Sequence, residues 1–199
     1  MAPYACAIAN LAAVLALALV LAPGTTLVPN VDERVRYIGE HIVAWRAGWL
    51  VWMIAAVTLL WFYVWWRARV GGPHVAVAIA FLGIIADWTA ELTLSIAGAE
   101  GHASVAAFAF FLTGAVANGL YTIAGVVLTL ATPLGTVARA YAALMWSAGG
   151  LLSIGAALDL PLLTAIATAE LFALFIPWCV WLGRRLRDGS VQRATASPT

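Results

Sequence analysis

The chain has 199 residues, of which 64% are apolar and only 10% charged, with a net charge of +1. A soluble domain of this size needs far more surface charge, which excludes a soluble fold. All 10 basic residues are arginine, and the absence of lysine excludes a retinal or pyridoxal Schiff base and a lysine-based phosphate loop.

Apolar runs of about 20 residues recur along the chain and predict an all-α, polytopic integral membrane protein with six transmembrane helices. The spans are Tyr4–Ala22, Ala44–Trp66, Val75–Ala97, Ser104–Ala131, Leu134–Ala157 and Pro161–Gly183. Turn chemistry separates them at Pro23-Gly24, Gly71-Gly72-Pro73, Gly98 to His102, Thr132-Pro133 and Asp159 before Pro161. Residues 1–187 form one membrane domain, and residues 188–199 read as a disordered cytoplasmic tail.

The first span ends in Val20-Leu21-Ala22, which has the look of a cleavage site. No basic segment precedes it and Pro23 follows, so the span reads as a retained helix. Between spans one and two, Asn30 and Glu33 have capping-box spacing. Val31, Val35, Ile38 and Ile42 then make an apolar stripe. A short amphipathic helix on the outer surface is expected, an interfacial helix before a lid.

Span two carries Trp45, Trp49 and Trp52 near one end and Trp61, Trp65 and Trp66 near the other. They read first as aromatic belts at the two interfaces. Trp45, Trp49 and Trp52 share a helix face, and their second reading is an aromatic wall for a ligand.

Span three holds the sequence's main anomaly. Asp87 lies near its middle, with Glu91 one turn on along the same face. An ionisable group at mid-bilayer costs at least ~2.5 kcal/mol, so it normally faces the bundle interior and has a partner. Arg46 is the nearest cation in depth and a candidate partner for Glu91. Two uncompensated carboxyls one turn apart repel, so at least one is expected to be protonated at neutral pH. In span four, Asn118, Thr122, Gly125 and Thr129 fall on one stripe, with Tyr121 adjacent. This stripe is the expected hydrogen-bonding partner of the acids.

Span six carries a third acid, Glu170, within a Thr-Ala-Glu-Leu segment that echoes Thr89 to Leu92. The composition makes such an echo expected by chance. Spans three and six would nevertheless correspond in an inverted three-plus-three repeat.

Arg67, Arg69, Arg139, Arg184, Arg185, Arg187 and Arg193 fall on one side of the six-span topology. The positive-inside rule assigns that side, and with it both termini, to the cytoplasm. The expected location is the cell membrane, as a multi-pass protein. Cys6 and Cys179 lack metal or redox spacing and read as small buried hydrophobes. His74 lies opposite His41 and His102 across the membrane, so a three-histidine metal site is excluded, and a site of His41, Glu100 and His102 is not favoured. No metal and no cofactor are expected, and no nucleic acid. The partners are membrane lipid and a hydrophobic small molecule, with a second copy or another membrane protein left open.

Three acids on two spans exceed what helix packing needs, although intramembrane hydrogen bonds alone are worth about 0.6 kcal/mol each. The first functional expectation is an intramembrane enzyme of isomerase or cyclase type acting on a lipid-soluble, isoprenoid- or sterol-like molecule. Asp87 or Glu91 is its general acid and Glu170 the counterpart base. Asn118, Tyr121, Thr122, Trp45, Trp49, Trp52 and Arg46 are the expected substrate-binding residues, the tryptophans stabilising a cationic intermediate. The alternatives are a proton-coupled small-molecule transporter and a non-catalytic subunit of a larger membrane complex.

Overall fold

A computed structural model describes residues 1–97 and 103–187. The expected tail, the turn from Gly98 to His102 and the ligand candidates Glu100 and His102 lie outside the described residues.

The described chain is helical, and six helices are long and apolar enough to cross a membrane. They are α1 (Ala2–Ala16, extended by a π turn Leu17–Leu21 and a 3₁₀ turn Ala22–Gly24), α3 (Ile42–Val70), α4 (His74–Ala97), α5 (Ala103–Phe111) joined to α6 (Asn118–Leu130) by a π turn (Leu112–Ala117), α7 (Thr136–Ala157) and α8 (Pro161–Arg187). The short helix α2 (Val31–Glu40) precedes α3.

Local chemistry sets the helix ends. Asn30 Oδ1 accepts the Asp32 N–H at 2.9 Å and the Glu33 N–H at 3.4 Å, which caps α2 as its sequence predicts. α3 runs past its hydrophobic stretch through Trp66 to Val70. Gly71, at φ 66, then supplies the left-handed residue that ends it.

The six spans pack as a ring in chain order. Each touches its sequence neighbours, and α8 closes the ring on α1. Neighbours run antiparallel. The α1–α8 seam brings Pro3 against Gly183 and the buried Cys6 and Cys179 sulfurs to 3.9 Å. Both cysteines are core residues, as expected.

The two ends of the ring differ. At the end opposite α2, Phe62, Trp66, Trp178 and Phe175 pack ring against ring across the bundle axis. Trp66 is fully buried, and its indole N–H donates to Thr132 at 2.9 Å. It is therefore core, where the sequence suggested an interface belt; of its two neighbours in that group, Trp61 is exposed and Trp65 half-exposed. Arginines rim this plug, with Arg69 over Trp65, Arg185 over Trp181 and Arg187 over Tyr4. The α2 end has no such plug, and there the ring encloses space.

Candidate functional site

A cavity of about 740 Å³ occupies the axis of the ring. All six spans and α2 line it. Its walls are largely apolar and aromatic, with Trp49, Trp52, Leu59, Phe110, Phe172 and Phe175 among them. Tyr63, Trp146 and Phe175 form its deep end, directly above the aromatic plug.

The register of α3 against α4 fixes the depth of each group. The Trp45 indole donates to Leu94 O at 2.9 Å, and the Trp88 indole donates to Met53 O at 3.2 Å. Counting between these two bonds sets Trp49 level with Glu91 and Trp52 level with Asp87. Trp45 is fully buried, does not line the cavity and ties the two helices together. Trp49 and Trp52 do line it, so this part of the tryptophan cluster is a cavity wall.

Asp87 is the carboxyl that lines the cavity at mid-depth. It is 5% exposed and held by two donors: the Thr113 hydroxyl reaches Oδ1 at 2.5 Å and the Tyr121 hydroxyl reaches Oδ2 at 3.1 Å. Gly83 makes room for the Tyr121 ring, because a Cβ at that position would stand 2.6 Å from it.

Thr113 is not among the candidates that the sequence singles out, and the π turn explains why. In a regular α-helix, residues 113 and 121 point about 80° apart. The turn Leu112–Ala117 absorbs one extra residue, which brings Thr113 back into register with Tyr121. The expected stripe, which lies wholly beyond the turn, faces α7 and not the acids. Asn118 donates to Gly149 O and Ser153 Oγ, both at 3.0 Å, on α7. Thr129 accepts from the Trp146 indole at 2.9 Å. The stripe thus binds α7, although Asn118 and Thr122 still line the cavity.

Glu91 is fully buried one turn from Asp87 and does not line the cavity. Neither of its oxygens has a hydrogen-bond partner among the described residues. Arg46 does not pair with it: that side chain is exposed and donates to Ser95 O at 3.3 Å. Glu170 is half-exposed on the flank of α8, outside the cavity lining. The two glutamates of the Thr-Ala-Glu-Leu echo therefore occupy unlike places, and the third acid is not brought to the other two.

Helix α2 lies over the cavity mouth. Val31, Val35 and Ile38 of its apolar stripe, and Arg34 between them, line the opening, together with Asp159 from the α7–α8 turn. The Tyr37 hydroxyl anchors α2 to the first span by donating to Val20 O at 2.7 Å. The stripe faces the cavity, where the sequence favoured a plain interfacial helix.

The side of the ring is open between the first and last spans, and exposed Ala107 and Phe111 of α5 also line the cavity. Ala18 lies on the perimeter stripe of exposed Leu11, Leu15 and Leu19, and Ala169 on that of exposed Leu162 and Ile166. Both alanines also line the cavity. A residue can do both only where adjoining helices part, so the cavity meets the perimeter between the first and last spans in its α2 half. Among the described residues no group of three or more His, Cys, Asp or Glu side chains is placed to hold a metal.

No protein-family model matches the chain, and neither does any curated protein or solved structure.

Proposed function

We propose that this protein is an intramembrane enzyme that performs acid–base isomerisation or cyclisation of a lipid-soluble molecule, with Asp87 as its acid. The carrying observation is a hydrogen-bonded carboxyl set at mid-depth in a largely apolar, aromatic cavity. Such an acid is nearly buried, and two hydroxyls fix its orientation.

In the simplest reaction the Asp87 carboxyl gives its proton to one carbon of a substrate double bond. The resulting cation lies among aromatic faces, including Trp52 against Phe172 and Trp146 against Phe175, which stabilise positive charge. The Asp87 carboxylate then takes a proton from the neighbouring carbon. The double bond shifts, the acid is regenerated and no co-reactant is consumed. Thr113 and Tyr121 hold both oxygens in place and stabilise the carboxylate while it is charged. This scheme uses Asp87 in both directions, because Glu170 does not reach the cavity. Glu91 lies outside the cavity lining and has no part in this scheme.

Two features favour the enzyme over the other expectations. The side opening between the first and last spans gives a lipid-soluble molecule a route from the bilayer. The aromatic plug closes the far end, which a carrier would need to open. A purely structural subunit has no use for a cavity of this size.

The test works with the substrate still unidentified. The purified protein, in bilayer discs made from total membrane lipid, is incubated in heavy water. Mass spectrometry of the lipid extract then seeks a species with non-exchangeable deuterium on carbon. The enzyme reading expects at least one such lipid, formed only with the protein present. A lipid extract with none refutes it.

A further inference from the structure

The end of the ring opposite α2 is basic and unbalanced. Arg67, Arg69, Arg139, Arg184, Arg185 and Arg187 all stand there. The described acids lie on α2, within α4 and α8, or on the α7–α8 turn, so this end holds no carboxylate among the described residues. Most of these arginines are engaged by their own chain. Arg67 donates to Gly72 O at 3.2 Å and reaches the His74 ring. Arg69, Arg185 and Arg187 lie over aromatic rings. Arg139 and Arg184 are exposed and have no partner among the described residues. Of these two, Arg139 lines a groove.

That groove runs along the outer side of the α6–α7 seam. Its α7 wall is Arg139, Ala143 and Ser147, all exposed and at the four-residue spacing that puts them on one face. Its α6 wall is Val126, Thr129 and Leu130, and Trp146 is its floor. Gly125 makes the groove possible. A Cβ there would collide with the Trp146 ring, so the glycine lets the indole fold inward against α6 and donate to Thr129 Oγ at 2.9 Å. The large side chain of the seam is thereby withdrawn from the perimeter, and small Ala143 and Ser147 leave the space above it open. Trp146 also lines the axial cavity, so its ring is a wall shared by the groove and that cavity. Helices α6 and α7 are joined by a short turn, which sets Thr129 and Arg139 near the basic end. Ser147 lies eight residues deeper than Arg139, or about 12 Å. The Thr129 hydroxyl accepts from the indole, and its own proton has no acceptor among the described residues.

In a bilayer the outer side of this seam faces lipid, so its occupant is a lipid molecule. A long arginine side chain near a helix end carries its guanidinium toward the headgroups. There an unneutralised guanidinium matches a phosphate with paired N–H bonds, and basic pockets between spans hold anionic headgroups in this way. A zwitterionic head would bring its own cation into an end already rich in arginine, which disfavours it. We propose that the groove between α6 and α7 holds one anionic phospholipid, its phosphate on Arg139 and Thr129 and the first part of one chain along Val126, Ala143 and Trp146. The site is separate from Asp87 and does not depend on the enzyme reading.

The probe is phosphatidylglycerol, present as a minor component of phosphatidylcholine discs that hold the full-length protein. Native mass spectrometry reads the lipid retained after bulk lipid is stripped away. Retention of one phosphatidylglycerol in preference to phosphatidylcholine is expected. Arg139→Gln lowers that retention about fivefold, the worth of one arginine at an anionic surface. Ser147→Leu and Ala143→Leu fill the groove without touching its charge, and they lower retention as well. Arg184→Gln removes an equal charge outside the groove and leaves retention unchanged. Inorganic phosphate at matched ionic strength does not displace the lipid. All four substitutions sit at exposed positions, and the charge and filling variants are read independently, so one that fails to fold leaves the other. Equal retention of the two lipids overturns the proposal. An Arg184→Gln loss as large as that of Arg139→Gln also overturns it, since it would show diffuse attraction only. Retention that the filling variants do not change, or displacement by inorganic phosphate, has the same consequence.

Discussion

The Tyr121 hydroxyl donates to Asp87 Oδ2 at 3.1 Å across the seam between α4 and α6. With the Thr113 bond to the other oxygen, it leaves the carboxyl one orientation, toward the axis of the ring.

Tyr121→Phe keeps the ring and removes that bond. Hydrogen bonds to charged groups are worth about 1.5–3 kcal/mol, so turnover is expected to fall roughly tenfold to a hundredfold. Thr113→Val is expected to do the same. In both, kcat falls and KM stays, since the lost bond acts on the acid and not on substrate binding. A change confined to KM would place these residues in binding instead.

Gly83→Ala tests the same contact from its other side. The added methyl would meet the Tyr121 ring at 2.6 Å, and forcing a group into packed space costs about 1–3 kcal/mol. A lower unfolding temperature in detergent, together with loss of turnover, is expected. Tyr121→Leu on top of Gly83→Ala should restore much of the stability and none of the activity.

Span number is legible in the sequence because it depends on hydropathy and turn residues, which act locally. Gly71 and Asn30 each mark a helix end by their own chemistry. The Asp87–Glu91 pair is visible as charge in an apolar segment, and Tyr121 stands beside the expected stripe. Two things are not legible. The π turn Leu112–Ala117 breaks the 3.6-residue period and so hides Thr113, while the rotation that gives Tyr121 to Asp87 and Asn118 and Thr129 to α7 is set by packing. The separation of Glu170 from the other acids depends on how α8 is rotated against α7 and α1. Position along a span is readable from sequence, but that rotation is set by packing.

The cap of α2 gives a prediction about the mouth. Asn30→Ala removes the side-chain acceptor for the Asp32 and Glu33 N–H groups, at a cost of about 1 kcal/mol to a helix of 10 residues. Amide exchange across Val31–Glu40 is expected to rise about fivefold, with α3 and α4 unchanged. Uniform exchange changes in all spans would mean that α2 supports the whole bundle and does not cover its mouth alone.

The opening between the first and last spans predicts an entry effect. Ala169 and Ala18 face each other's helix edges with room on the perimeter. Ala169→Trp is expected to slow loading of a membrane-dissolved probe severalfold while leaving the final occupancy and the unfolding temperature near those of the parent. Unchanged loading would show that molecules enter elsewhere, past α2 or beside exposed Ala107 and Phe111 of α5.

The central claim is that Asp87 passes protons to and from carbon. Its most direct test compares the parent protein with Asp87→Asn in heavy water, reading carbon-bound deuterium in the lipid extract. The amide keeps the size of the side chain and one of its two acceptor oxygens but cannot give a proton and take it back. Deuterium incorporation in the parent, and its loss by at least a hundredfold in a folded, membrane-inserted Asp87→Asn protein, is the expected result. Equal incorporation by both proteins would contradict the account.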